Sequence, residues 1–383
     1  MICALGTLSW DDFLRRHWQR APWFGPGAWP AAAETISRRD LFALARREDV
    51  ESRLVQRQDR RWTVAHGPFT ARQLARLPAR NWTLLVNGVD LHLPAMRALA
   101  ERFRAIPYAR HDDVMASFAA PGGGVGPHFD SYDVFLVQSS GRRRWRVSRQ
   151  RDLALVPGAP LKILRRMGAG TTWTVGPGDV LYLPPQVAHA GIALDACITL
   201  SIGFRAPAVA ELATRFLDFL HERFDGGAPY GDAGLRRTRE PGRLPARLVD
   251  YAAGELGRLR WGRAEVAAFL GEYLSEPKPQ TAFMPPARPL SRAAFTRAVA
   301  QRGLALDLKS RLLTTADRAF MNGETARLDI LARPQIQQLA DHRALRPQRL
   351  TAAAIDVLHG WYREGYLKPG NGESAIGNRK PPS

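Results

Sequence analysis

The sequence predicts an α+β protein built round an antiparallel barrel of the jelly-roll type, and three observations carry that prediction. From about Asp113 to Pro207, short runs rich in β-branched and aromatic residues recur between Gly and Pro turns. Before them, apolar residues fall at three- and four-residue spacings, as on helices. After Pro207 the strand pattern stops, and helical spacing returns until a Pro-rich stretch opens a small mixed module.

Taken in order, "SWDDFLRRHWQRAPWF" is an amphipathic helix with Ser9 as N-cap, Phe13 and Trp18 on its apolar side and Pro22 as its stop. "TARQLARLPA" and "PAMRALAERFRAI" are two further helices, and the first hundred residues read as helix and loop. "DVMASFAAP", "YDVFLVQSS", "RRWRVS", "TWTVGPGDVLYLPP" and "DACITLSIGFRAP" are the barrel strands. "AVAELATRFLDFLHERF" puts Val209, Leu212, Phe216, Leu220 and Phe224 on one helix face, and two more helices follow. Asn322-Gly323 in the last module is a hairpin signal. The expected division is a barrel domain over 1–206, a helical block over 207–276, a Pro-rich linker over 277–290, a mixed module over 291–369 and a disordered tail over 370–383.

The bulk composition narrows the class. With 383 residues, 45% hydrophobic and 24% charged, the chain has the make-up of an ordinary globular protein with a sizeable core. Two cysteines, Cys3 and Cys197, make no disulfide scaffold and have no zinc spacing. No apolar run reaches the roughly 20 residues of a membrane span, and the N-terminal segment meets Asp11 and Asp12 where a secretory signal needs small residues. The expected setting is soluble and cytoplasmic, with no membrane partner. The net charge of +19 has two readings, a nucleic-acid or ribosomal setting or Arg used on every solvated surface, and its even spread from Arg15 to Arg379 does not choose between them.

The chemistry gathers round "GPHFDSYDVFLVQSSGRRRWRV". Two His and one carboxylate on one face of an ion, with open positions opposite, are the ligand set of non-haem Fe(II) oxygenases. On a strand, alternate residues share a side, so His128 and Asp130 can converge on one metal while Phe129 points away. The third ligand belongs on a later strand, and His189 in "LYLPPQVAHAGI" stands there. His111, just before the sheet, reads as a loop residue. A 2-oxoglutarate co-substrate requires a cation for its distal carboxylate, and Arg143 is the candidate, because a planar guanidinium matches a carboxylate with two prongs. Arg142 and Arg144 would then point outward. Ser117, Thr199 and Ser201 lie on strands that can face the same cavity.

These residues resemble a known family. "PGGGVGPHFDSYDVFLVQSSGRRRWRV", "GPGDVLYLPPQVAHAG", "SIGFRAP" and the opening "FLRRHWQRAPWF" closely resemble the bacterial JmjC-type cupin hydroxylases. The order of barrel, helical block and small C-terminal module is similar to the ribosomal oxygenases, in particular the bacterial arginine hydroxylases of large-subunit ribosomal protein sixteen. The resemblance implies a double-stranded β-helix (cupin) JmjC barrel, a helical dimerisation domain giving a homodimer, and a winged-helix-like end. It implies Fe(II) on His128, Asp130 and His189, 2-oxoglutarate on Arg143 with Ser117 and Thr199 nearby, and O2 as oxidant. It further implies an arginine side chain of a ribosomal protein as substrate, for which Asp113, Tyr132 and Ser201 are the candidate contacts, by charge and by ring stacking. Two alternatives stand beside this. One is a histidine hydroxylase of the same class; the other is a metal-binding cupin without catalysis whose far end contacts nucleic acid. "RLLTTADRAFMNGETARL" is not a strongly basic helix, so direct nucleic-acid binding is not expected.

Overall fold

The computed structural model describes residues 4–32, 35–59, 61–223 and 229–370. Cys3, Phe224 and the tail from 371 onward lie outside the described residues. Strands β1 (Ala4–Leu5) and β2 (Leu8–Ser9) pair and feed helix α1 (Trp10–Arg16). The Ser9 hydroxyl accepts from the Asp12 amide, and acids in the first turn and bases in the last complement the helix dipole. Phe13 drives this helix into the core, its ring centroid 4.9 Å from Tyr182 and 5.2 Å from Phe135. Burying such a ring contributes about 1.5–3 kcal/mol.

Next come β3 (Trp23–Gly25), α2 (Arg38–Leu44), β4 (Ser52–Gln58), β5 (Arg61–His66), α3 (Ala71–Ala75), β6 (Trp82–Val86) and α4 (Pro94–Ala100). The expectation of helix and loop alone before the barrel is therefore corrected: β4, β5 and β6 are sheet strands. In β6 every residue is buried, so no polar alternation announces it.

The barrel proper is β7 (His111–Ala119), β8 (Asp133–Ser140), β9 (Arg143–Ser148), β10 (Thr171–Val175), β11 (Val180–Leu183), β12 (Ala188–Ala193) and β13 (Cys197–Phe204). One sheet has eight strands in the order β3-β11-β8-β13-β7-β6-β4-β5, and the facing sheet has three, β10-β9-β12. All these pairings are antiparallel. Strand alternation divides the core in two. Val114, Ala116, Phe118, Phe135, Leu200, Ile202 and Phe204 face the N-terminal helices. Val134, Leu136, Trp145, Val147, Leu181 and Val187 fill the space between the sheets.

Helices α5 (Val209–Arg223), α6 (Ala246–Arg258) and α7 (Arg263–Ser275) follow. The face expected of α5 is only partly the buried one. Val209 is 83% exposed, while Phe219 is buried with Phe269 and Phe320, and Leu212, Phe216 and Leu220 pack against them. The last module holds α8 (Arg292–Arg302), β14 (Leu304–Leu306), β15 (Leu312–Thr314), β16 (Arg318–Met321), β17 (Glu324–Arg327), α9 (Arg333–His342), β18 (Ala344–Leu345), α10 (Ala352–Arg363) and β19 (Leu367–Pro369). Asn322 and Gly323 take positive φ and close the β16–β17 hairpin. Among the described residues no helix is long and apolar enough to cross a membrane.

Candidate metal centre

The segment carrying His128 and Asp130 is a rim rather than a strand, which corrects the expected alternation. Pro127 has no N–H to give to a ladder and Gly126 has φ +81°, so β8 starts only at Asp133. Convergence comes instead from one bridge: the His128 amide donates to the His189 carbonyl at 2.9 Å, and the His189 amide returns to the His128 carbonyl at 2.8 Å. The Gln186 amide holds the Asp130 carbonyl at 2.8 Å. Beyond the rim, Asp133 is fully buried and pins the chain, accepting from the Tyr182 hydroxyl at 2.6 Å and the Gln19 amide group at 2.9 Å. The glycine run is packed as well. A Cβ on Gly124 would meet the Gly191 carbonyl oxygen at 2.3 Å, and one on Gly126 would strike Ile163.

Within this frame His128, Asp130 and His189 bring one ligand atom each to within 4.8 Å of one another. The imidazole centroids are 4.2 Å apart, and His189 Nε2 lies 3.5 Å from Asp130 Oδ2. Each Nδ1 faces a main-chain carbonyl, His128 that of Gly126 at 3.0 Å and His189 that of Val187 at 2.9 Å. A protonated Nδ1 donating there leaves the Nε2 lone pair for a metal. Burial, reinforced by His128, lowers the His189 pKa to about 4, so its ring is neutral, the form that ligates. Two imidazoles and one carboxylate fit a divalent iron with open coordination positions.

Arg143 is 5% exposed on β9. Its Nη1 donates to Ser117 Oγ at 3.3 Å, while Nε and Nη2 have no partner among the described residues. The guanidinium carbon sits 5.6 Å from the Trp145 ring, which in turn lies 5.8 Å from His189. A buried cation with two idle donors is costly unless an anion arrives, so the site has the chemistry of a carboxylate receptor. Arg142 instead pairs with Asp195 at the surface, and Arg144 is exposed. Ser117 also donates to the Thr199 carbonyl at 3.3 Å, and the Thr199 hydroxyl is engaged by Gln138 at 2.8 Å.

Of the residues expected to contact a substrate, Tyr132 is 36% exposed, and its ring lies beside Gly203 next to Asp112. Burial, then the nearby Asp130 and Asp113 carboxylates, push its hydroxyl pKa up. Ser201 is buried on β13, beside Leu136 of β8. Asp113 is buried on β7, where Oδ2 accepts the Gly88 amide at 3.0 Å and an ion pair from Lys278. His111 is no loop residue: it opens β7, buried, and burial lowers its pKa to about 3. Sequence reasoning passed over Asp133, Gln138 and Lys278, because each acts through partners distant in the chain.

An antiparallel barrel that presents two imidazoles and a carboxylate beside an unpaired buried arginine is that of a metal- and 2-oxoglutarate-dependent oxygenase of the cupin class. The JmjC domain family matches residues 98–212, and the ROXA-like winged helix matches residues 258–368. The chain is 35% identical over 359 residues to the ribosomal protein uL16 3-hydroxylase of Escherichia coli, covering 91% of this chain and 93% of that one. It therefore belongs to the JmjC-domain ribosomal oxygenases. Ribosomal oxygenase 1 of Rattus norvegicus is 30% identical over 205 residues, 48% of this chain and 33% of its own. The solved structure of the Escherichia coli ribosomal oxygenase YcfD with cobalt and 2-oxoglutarate superposes with a TM-score of 0.80 at 34% identity, over 94% of this chain and 98% of that one.

Proposed function

We propose that the protein hydroxylates an arginine side chain of the large-subunit ribosomal protein uL16, with Fe(II), 2-oxoglutarate and O2. The observation that carries the reading is the unpaired buried Arg143 guanidinium set next to the His128, Asp130 and His189 cluster. The name of the Escherichia coli relative supports uL16 as the target. Arginine is favoured over histidine by Asp113 and Tyr132, an anion and a ring suited to a guanidinium.

His128, Asp130 and His189 would hold the iron, which when bound supplies the activation of dioxygen coupled to decarboxylation of 2-oxoglutarate. The chain's own work is placement. Arg143 takes the distal carboxylate of the co-substrate and ends its own isolation, with Ser117 and Thr199 holding the adjoining wall. Asp113, Tyr132 and Ser201 orient the substrate side chain, and the apolar filling between the sheets keeps water from the reacting centre. We assign the exposed apolar residues Leu217, Val249, Leu256 and Trp261 of the helical block to contact with a second copy of the chain, giving a homodimer that works in the cytoplasm. Direct nucleic-acid contact is not part of this reading.

The test is turnover of 2-oxoglutarate to succinate with Fe(II) and a uL16 peptide. The peptide is expected to gain one oxygen on arginine, and His128→Ala to abolish both events. A product oxidised on histidine would replace the arginine reading, and succinate formation that no ribosomal peptide stimulates would refute it. Sedimentation as a monomer would remove the dimer.

A further inference from the structure

Lys278 lies in the stretch the sequence marks as a Pro-rich linker, yet it is not a linker residue in behaviour. Its side chain is 19% exposed, and its ammonium forms an ion pair with Asp113 Oδ2, 165 positions away in sequence. The same oxygen accepts the Gly88 amide, whereas Oδ1 accepts no hydrogen bond from the described residues. We infer that Lys278 is a positioning residue for the substrate cation: it ties down one oxygen of the Asp113 carboxylate, and so leaves the other charged and oriented for the incoming guanidinium. The inference rests on the proposed role of Asp113 in substrate binding and deepens it.

The surroundings show why a carboxylate there needs such help. Asp113 is 8% exposed. Its other charged neighbours are Asp112 beside it on β7 and Asp90 from the turn after β6, both anionic. Burial raises its pKa and those two carboxylates push the same way, while Lys278 opposes them. The remaining nearby charges are engaged elsewhere. Arg205 pairs with Asp112 at 3.2 Å, and Arg311 donates to the carbonyls of His111 and Asp112. Lys278 is therefore the ion-pair partner of Asp113 itself. Asp112, the residue before Asp113 on β7, borders Gly203 next to the Tyr132 ring, so Asp113 adjoins the wall that carries the proposed substrate contacts.

The experiment compares Lys278→Met, Lys278→Arg and Asp113→Asn with the parent in the full-length chain, reading KM and kcat for a uL16 arginine peptide across pH. In Lys278→Met, KM at about pH 7 is expected to rise roughly tenfold or more, because a neutralised carboxyl loses a charge-assisted contact. That KM should fall back towards the parent value as pH rises and the carboxyl ionises again. The KM for 2-oxoglutarate and kcat should hold, and Lys278→Arg should restore most of the loss. A parent-like peptide KM in Lys278→Met overturns the inference alone. So does a raised KM that ignores pH, which describes a loosened joint instead of a discharged carboxylate. A parent-like KM in Asp113→Asn removes Asp113 from the substrate site, and with it the reading on which the inference stands.

Discussion

Inside the barrel, Arg143 lies buried with no anion beside it among the described residues, whereas at the seam between the barrel and the C-terminal module the buried Arg97 and Arg343 each meet an anion and a carbonyl, although Arg97 Nε is itself unpartnered. Arg97 pairs with Asp90 at 2.7 Å and donates to the Leu308 carbonyl at 2.9 Å. Arg343 donates to the carbonyls of Asp307 and Ser310 at 2.8 and 2.9 Å and faces Glu101 at 3.6 Å. Both regions desolvate charge, but only the seam compensates it within the chain. A joint has to be stable by itself, so its charges are matched. A receptor is incomplete until its ligand binds, so its donors stand open.

That contrast breaks if substitutions in the two regions behave alike. The largest effect is expected from Arg143→Met, which should raise the KM for 2-oxoglutarate roughly a hundredfold by removing charge-assisted bonds. Without 2-oxoglutarate the variant should melt no lower than the parent, because it deletes an uncompensated buried charge, and added 2-oxoglutarate should no longer raise its Tm. A large loss of stability without ligand would mean that Arg143 is structural.

Asp90→Asn should do the reverse, costing about 3–5 kcal/mol in denaturant titration by leaving Arg97 unpaired while the KM for 2-oxoglutarate stays put. The seam should also carry a pH signature. Folded His111 protonates only at about 3, against 6.5 ordinarily, because burial keeps it neutral. Protonation of the unfolded chain then draws stability away as pH falls from about 6.5, with a slope of up to about 1.4 kcal/mol per pH unit, and above that pH the contribution is intact. His111→Gln should flatten this slope relative to the parent, and an unchanged slope would count against the burial argument. The smallest effect belongs to Arg142→Gln, which loosens an exposed pair with Asp195 and should shift stability by under about 1 kcal/mol with catalysis unaltered.

The barrel strands were readable because β-branched and aromatic runs recur between Gly and Pro turns, although β11 and β13 are as fully buried as β6. β4 and β5 carried no such punctuation, since the turn between them uses Asp59 at φ +53° in place of a glycine. The periodicity of α5 was plain, but which of its residues would be covered depended on α7 and Phe320 from elsewhere in the chain. At the centre, His128, Asp130, His189 and Arg143 stood out by residue type and order. The means of bringing them together did not, since a bridge between two histidines replaces the expected shared strand face.

By itself the sequence determined the chemistry available: the donors, their order, the jelly-roll pattern that carries them, and the cation we propose for a carboxylate. Tertiary structure alone decided that Arg143 would be left unpaired while Arg142, one residue earlier, found Asp195, and that Lys278 would reach Asp113 across 165 positions. Local patterns report which face of an element is apolar, because that is written every two or four residues. Which charge meets which across the fold leaves no periodic trace, because such a contact depends on where distant segments come to rest.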